Sequence, residues 1–114
     1  MTYKQVSDMI ESIGLPFAYY EFPNGTEQAP PFICFFFTDS NDLAADNTNY
    51  QRIRPLEIEL YTDTKDFVLE SQVETALNQS GLVYSRSETY IDTEQMNMVT
   101  YSTEIVITEE TDNG

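Results

Sequence analysis

Apolar residues open the chain at three- and four-residue steps. Tyr3, Val6, Met9, Ile10 and Ile13 share one helical face, and the spacing predicts a helix from Thr2 to Ile13. Thr2, with Gln5 three residues later, fits a capping box. Gly14 is placed to close the helix, and Pro16 blocks its continuation. The period then shortens. Phe17 to Phe22 reads as a strand, and Pro23-Asn24-Gly25-Thr26 marks a turn. Phe32 to Thr38 follows Pro30-Pro31 and is almost continuously apolar. Such a run predicts a strand covered on both faces, or on one face plus a subunit contact. Asp39 to Asn49 is a long polar loop whose one large apolar residue is Leu43. Tyr50 to Tyr61 alternates, with Leu56, Ile58 and Leu60 on one side and Glu57, Glu59 and Tyr61 on the other. Pro55 lacks a ladder donor and predicts an edge position or a bulge there.

The second half repeats the change of period. Asp63 or Thr64 is the expected cap of a helix running to about Ser80. Its buried stripe is Leu69, Val73, Ala76 and Leu77, with Phe67 near the start and Gly81 as the stop. Val83 to Ile91 and Gln95 to Thr108 form a hairpin around Asp92-Thr93-Glu94. Val99, Tyr101, Ile105 and Ile107 share a face, with Thr103 between them. Residues 109–114 are acidic, have nothing to bury, and are expected to be disordered. The order is α-β-β-β-α-β-β. Each helix has one apolar face and the sheet needs a cover. The expected fold is therefore α+β in two layers, a mostly antiparallel sheet of about five strands with two helices on one face. Residues 1–108 form a single domain, since no linker or repeat divides them.

Composition narrows the function classes. Twenty acids against five bases give a net charge of −15. That argues against sequence-specific nucleic acid as a partner, because a phosphate backbone requires Lys and Arg. There is no His and one cysteine, which excludes Ser-His and Cys-His pairs and any multi-cysteine cluster. Cys34 lies in the apolar run and reads as a small hydrophobe. The four glycines sit in caps, turns and the tail, so no phosphate-binding loop is present. The stretch DSNDLAADN offers Asp39, Asn41, Asp42 and Asp46 to a cation, but Ala44 stands where a Ca²⁺ loop needs Gly and no Glu closes it. Glu57 with Glu59, and Asp63 with Asp66, are explained by a solvent-facing strand row and by a helix start. No catalytic residue, metal or cofactor is assigned, and no enzyme activity is expected. No signal peptide or membrane-spanning run is read, and the two Asn-x-Ser/Thr matches at Asn24 and Asn78 are taken as chance. A cytoplasmic product without a membrane partner is the expectation. Arg52 and Arg54 pair with acids of their own chain or with those of a neighbouring copy, and the sequence leaves both readings open.

Several phrases carry a resemblance. These are Leu15-Pro16 with Tyr20, Ala29-Pro30-Pro31, Ala45-Asp46-Asn47 with Tyr50, IELYTDTKD from Ile58 to Asp66, and SETYIDTEQMNMVTYSTEI from Ser87 to Ile105. Together they resemble a family of small tail-terminator, or tail-completion, proteins of siphophages and prophages of Gram-positive bacteria. The resemblance implies a sheet backed by helices that assembles into a hexameric ring; whether the free subunit is a monomer is left open. Such a ring caps the tail tube, stops its polymerisation and offers a surface to the head connector. The implied partners are further copies of the chain, the tail-tube protein and a head-connector or neck protein. The implied location is the head-proximal end of the virion tail, after synthesis in the host cytoplasm.

A ring needs one patch to meet a different patch on the next copy. Loops longer than about 12–15 residues are uncommon unless functional or disordered. The expected subunit or tube interface is therefore Asp39, Asp42, Leu43, Asp46, Asn47, Tyr50, Arg52 and Arg54. The alternative from another class is an acidic DNA mimic that inhibits a host nucleic-acid enzyme. Its carboxylates would have to follow phosphate-like spacing on one surface, whereas here they scatter over caps, strands, loop and tail. A small carboxylate-only enzyme ranks last.

Overall fold

The computed structural model describes residues 1–23, 25, 28–38 and 52–108. Its first element is α1 (Tyr3–Glu11), two residues shorter than the apolar spacing predicts at its end. The capping box forms: the Thr2 hydroxyl accepts the Gln5 N–H at 3.1 Å, and the Gln5 side chain accepts the Thr2 N–H at 2.9 Å. Val6, Met9 and Ile10 are buried. Gly14 turns the chain with φ +93, a left-handed conformation that favours glycine.

Five strands follow in one sheet: β1 (Phe17–Tyr19), β2 (Phe32–Phe37), β3 (Arg52–Thr62), β4 (Tyr84–Ile91) and β5 (Met96–Ile107), with α2 (Phe67–Gln79) between β3 and β4. The spatial order is β1-β2-β3-β5-β4. Three pairings are antiparallel. β2 runs against β3 with Phe32 opposite Tyr61, β3 against β5 with Arg52 opposite Ile107, and β4 against β5 with Tyr84 opposite Thr103. β1 is parallel to β2, with Phe17 opposite Ile33. The fold is thus α+β with a mixed, mostly antiparallel sheet, in the predicted element order.

Both helices cover one sheet face. Val6, Met9 and Ile10 of α1 and Val73, Ala76 and Leu77 of α2 pack with Ile33, Phe35, Leu56, Ile58, Leu60, Val99, Tyr101, Ile105 and Ile107 in a single core. The alternation read from β3 and β5 is the alternation that faces the helices. Thr103 is buried in that row, and its hydroxyl donates to the Val83 carbonyl at 2.6 Å.

The apolar run of β2 is covered on both sides. Phe35 and Phe37 meet Tyr19, and Phe37 also meets Tyr3 of α1 edge-on at 5.3 Å. On the opposite face Phe32 stacks on Tyr61 at 4.7 Å and takes the edge of Phe22 at 5.4 Å, while Phe36 stacks on Tyr20 at 5.3 Å. This second cover exists because β1 ends early. The sequence predicts a strand to Phe22, but Tyr20 adopts φ +72 and the Glu21 N–H donates to the Tyr19 carbonyl at 2.9 Å. That γ-turn redirects the chain across the helix-free face. Tyr20 and Phe22 become cover instead of strand.

Three further expectations change. Pro55 lies in an interior strand, not at an edge. The β2 ladder ends at Phe37 opposite Leu56, one residue short of it, so β3 has no β2 strand neighbour at Pro55. The second helix is capped by Asp66, not by Asp63 or Thr64; its carboxylate accepts the Leu69 N–H at 3.0 Å. Phe67 is no part of the buried stripe and stays 71% exposed at the first helical position. Gly81 ends this helix with φ +75, as expected.

Candidate assembly surface

The expected interface residues divide in two. Asp39, Asp42, Leu43, Asp46, Asn47 and Tyr50 lie outside the described residues, as does the weighed cation loop. Arg52 and Arg54 are described. Arg52 starts β3, exposed, opposite Ile107. Arg54 is internal. Its Nη1 donates to the Tyr3 hydroxyl at 2.8 Å, its Nη2 donates to the Thr38 carbonyl at 3.2 Å, and its guanidinium lies 5.1 Å from the centre of the Phe37 ring. The cause is Pro55. The Thr38 N–H donates to the Pro55 carbonyl at 3.0 Å, and the return bond would need an N–H that proline lacks. Arg54 supplies that donor from its side chain and clamps α1 to β2. The expected partners were acids of its own chain or of a neighbouring copy; within the chain Arg54 meets a hydroxyl and a carbonyl instead.

A second charged group was missed by the sequence reading. Glu70 on α2 is 2% exposed. Its Oε1 pairs with Arg86 Nη2, and its Oε2 lies 2.9 Å from Lys65 Nζ. Lys65 also reaches Glu88 at 2.8 Å, and Arg86 reaches Glu74 at 3.5 Å. The Tyr101 hydroxyl donates to Glu74 at 2.8 Å from within the core. The hydrogen bond that Lys65 donates to Glu70, then that to Glu88, holds the pKa of its ammonium above the ordinary value. Lys65 likewise holds the Glu88 carboxyl below the usual range. The signal for Glu70 was available: it stands three and seven residues before Val73 and Leu77, on the buried side of α2.

The helix-free sheet face carries half-buried acids in a row. Glu57 accepts from Ser102 Oγ at 2.7 Å, and Glu59 accepts from the Tyr61 hydroxyl at 2.7 Å. Cys34, opposite Glu59, is buried. Burial first, and then the charges of Glu59 and Glu21, push its thiol up to about 11. Buried in this way, the thiol packs as a small hydrophobe.

Exposed apolar side chains stand at several separate positions. Phe67 and Val68, 71% and 68% exposed, stand over a groove between the end of α1 and α2. Val83 is 88% exposed just before β4, beside a second groove that Pro55, Glu57 and Glu104 also line. On the helix-free face Ile53 and Val106 form an exposed cross-strand pair.

The sequence matches no family model and no curated protein. The fold does have solved relatives. A chain from the virion of a native gene transfer agent particle is similar to this one with a TM-score of 0.59 and 16% identity, over 91% of this chain and 90% of that one. At that identity the likeness is one of fold.

Proposed function

We propose that this chain is a virion structural protein that caps a phage-like tail tube as a ring, terminates tail polymerisation and provides the head–tail joining surface. The observation that carries the proposal is the fold shared with a virion-particle chain over nine-tenths of both lengths. The tail-terminator phrases in the sequence narrow it from virion component to tube cap. The surface supports the same reading. A ring subunit needs two unlike contact patches, and exposed apolar side chains stand at both Phe67 and Val83. The charged cluster around Glu70 sets three carboxylates against Lys65 and Arg86, and we read the protein as non-catalytic and free of cofactors. The charge of −15 suits a ring through which DNA passes, because a carboxylate-rich lumen does not hold phosphate.

Many acids of the described residues are engaged within the chain, whereas a DNA mimic presents free carboxylates. Asp8 pairs with Lys4, Glu57 and Glu59 take hydroxyl donors, and Glu70, Glu74 and Glu88 share two cations. The test is electron microscopy and native mass measurement of the purified chain mixed with the tail-tube protein of the same particle. A sixfold ring at one tube end is expected. A chain that never associates with the tube contradicts the proposal.

A further inference from the structure

An ordinary surface helix buries its apolar stripe and shows its charges to water. α2 departs from this. Its two acids, Glu70 and Glu74, point toward the sheet and meet Lys65, Arg86 and Tyr101. Its outward positions include Phe67, Val68, Ser71, Gln72 and Thr75. With Ile13, just beyond α1, they line an open groove of about 650 Å³. Among the described residues lining that groove none is ionisable. In a chain carrying 20 acids this is a local exclusion of charge. Lys65 sits beside it, 4.8 Å from the Phe67 ring centre, with its charge already engaged by Glu70 and Glu88.

We propose that this neutral face of α2, with its groove, is one half of a contact between copies of the chain. The proposal rests on the ring reading and names one of its contact faces. The occupant follows from charge. Two copies at −15 repel, and most faces bring carboxylates together: α1 shows Asp8 and Glu11, the helix-free sheet face shows Glu57, Glu59 and Glu104, and the hairpin tip shows Asp92 and Glu94. A like-charged copy can lie on α2 without that juxtaposition. Its hydroxyls and carboxamides both donate and accept, so they find partners on a copy of the same chain. Phe67 and Val68 supply the apolar centre, and interface centres are depleted of charge and enriched in aromatics. A basic partner would gain more from the acidic faces.

The test is sedimentation equilibrium of the full chain in about 0.5 M NaCl, where repulsion is screened. It compares the wild type with Val68→Glu and with Thr93→Glu, which adds the same charge at the hairpin tip. An acid in the first turn of α2 favours the helix, and circular dichroism confirms that the variant is folded. The wild type and Thr93→Glu should associate alike. Val68→Glu should weaken association about 100-fold, as expected for an unpaired charge brought into an interface. A wild type that stays monomeric at roughly 1 mM, where even weak contacts register, overturns the proposal. So does a Val68→Glu chain that still forms rings, which leaves the ring reading standing. Loss of tube binding in Val68→Glu beside a monomeric wild type assigns the face to the tube protein and also overturns it. Association that Val68→Glu abolishes, but that stops at a dimer, upholds this contact and sinks the ring.

Discussion

Glu70 concentrates the electrostatic risk in a single side chain. A buried carboxylate is tolerable only while its cations stay in place, and removing a partner costs about 3–5 kcal/mol when the pair is fully buried. Here Arg86 and Lys65 are each about a third exposed, so water screens part of the loss. Arg86→Met should destabilise the fold by roughly 2–3 kcal/mol in urea unfolding, below that fully buried limit. Glu70→Gln with Arg86→Met should cost less than the sum of the singles. Cys34 gives a prediction in pH. The unfolded thiol ionises near 9.0 and the folded one near 11. Above pH 9 the unfolded chain therefore sheds a proton that the folded chain keeps, and stability falls between about pH 9 and 11. The Tyr61 and Tyr101 phenols, also pushed up by burial, act in the same direction. Alkaline melts of the wild type should show this fall. Thiol reagents at pH 8 should leave Cys34 unmodified until the chain unfolds.

At the scale of elements, the two helices depend on their caps. Asp66→Ala removes the acceptor for the Leu69 N–H and a negative charge at the helix start. The expected loss is about 1 kcal/mol, read as a shift in the urea midpoint with unchanged slope. Most of this level was legible in the sequence, because periods of 3.6 and 2 reach the eye directly. The stripes of α1 and α2 and the alternation of β3 and β5 became the core. What escaped depended on residues distant in sequence. Tyr20 gives no local sign of a left-handed turn, so the loss of strand at Glu21 and Phe22 was hidden. Pro55 reads as an edge residue by its own chemistry, and only the end of β2 at Phe37, with the Arg54 guanidinium on the Thr38 carbonyl, reconciles it with an interior strand.

For the whole molecule, charge and surface decide. A net −15 opposes the compact state through self-repulsion. The melting temperature should therefore rise between about 10 mM and 0.5 M NaCl, even though the Lys65–Glu88 pair weakens, because screening acts on the larger imbalance. A melting temperature that falls with salt would place the ion pairs above the repulsion. The proposed assembly surface was less legible than the fold. Arg54 looked free to reach a neighbour but is held by Tyr3 and Thr38, and the neutral face of α2 emerges only once Glu70 and Glu74 are seen to turn inward. The central claim is that the chain caps a growing tail tube, and tube length measures it most directly. Purified chain added to polymerising tail-tube protein should halt elongation and leave short tubes with density at one end, in electron micrographs. Tubes that grow to the same lengths with and without the chain would contradict it.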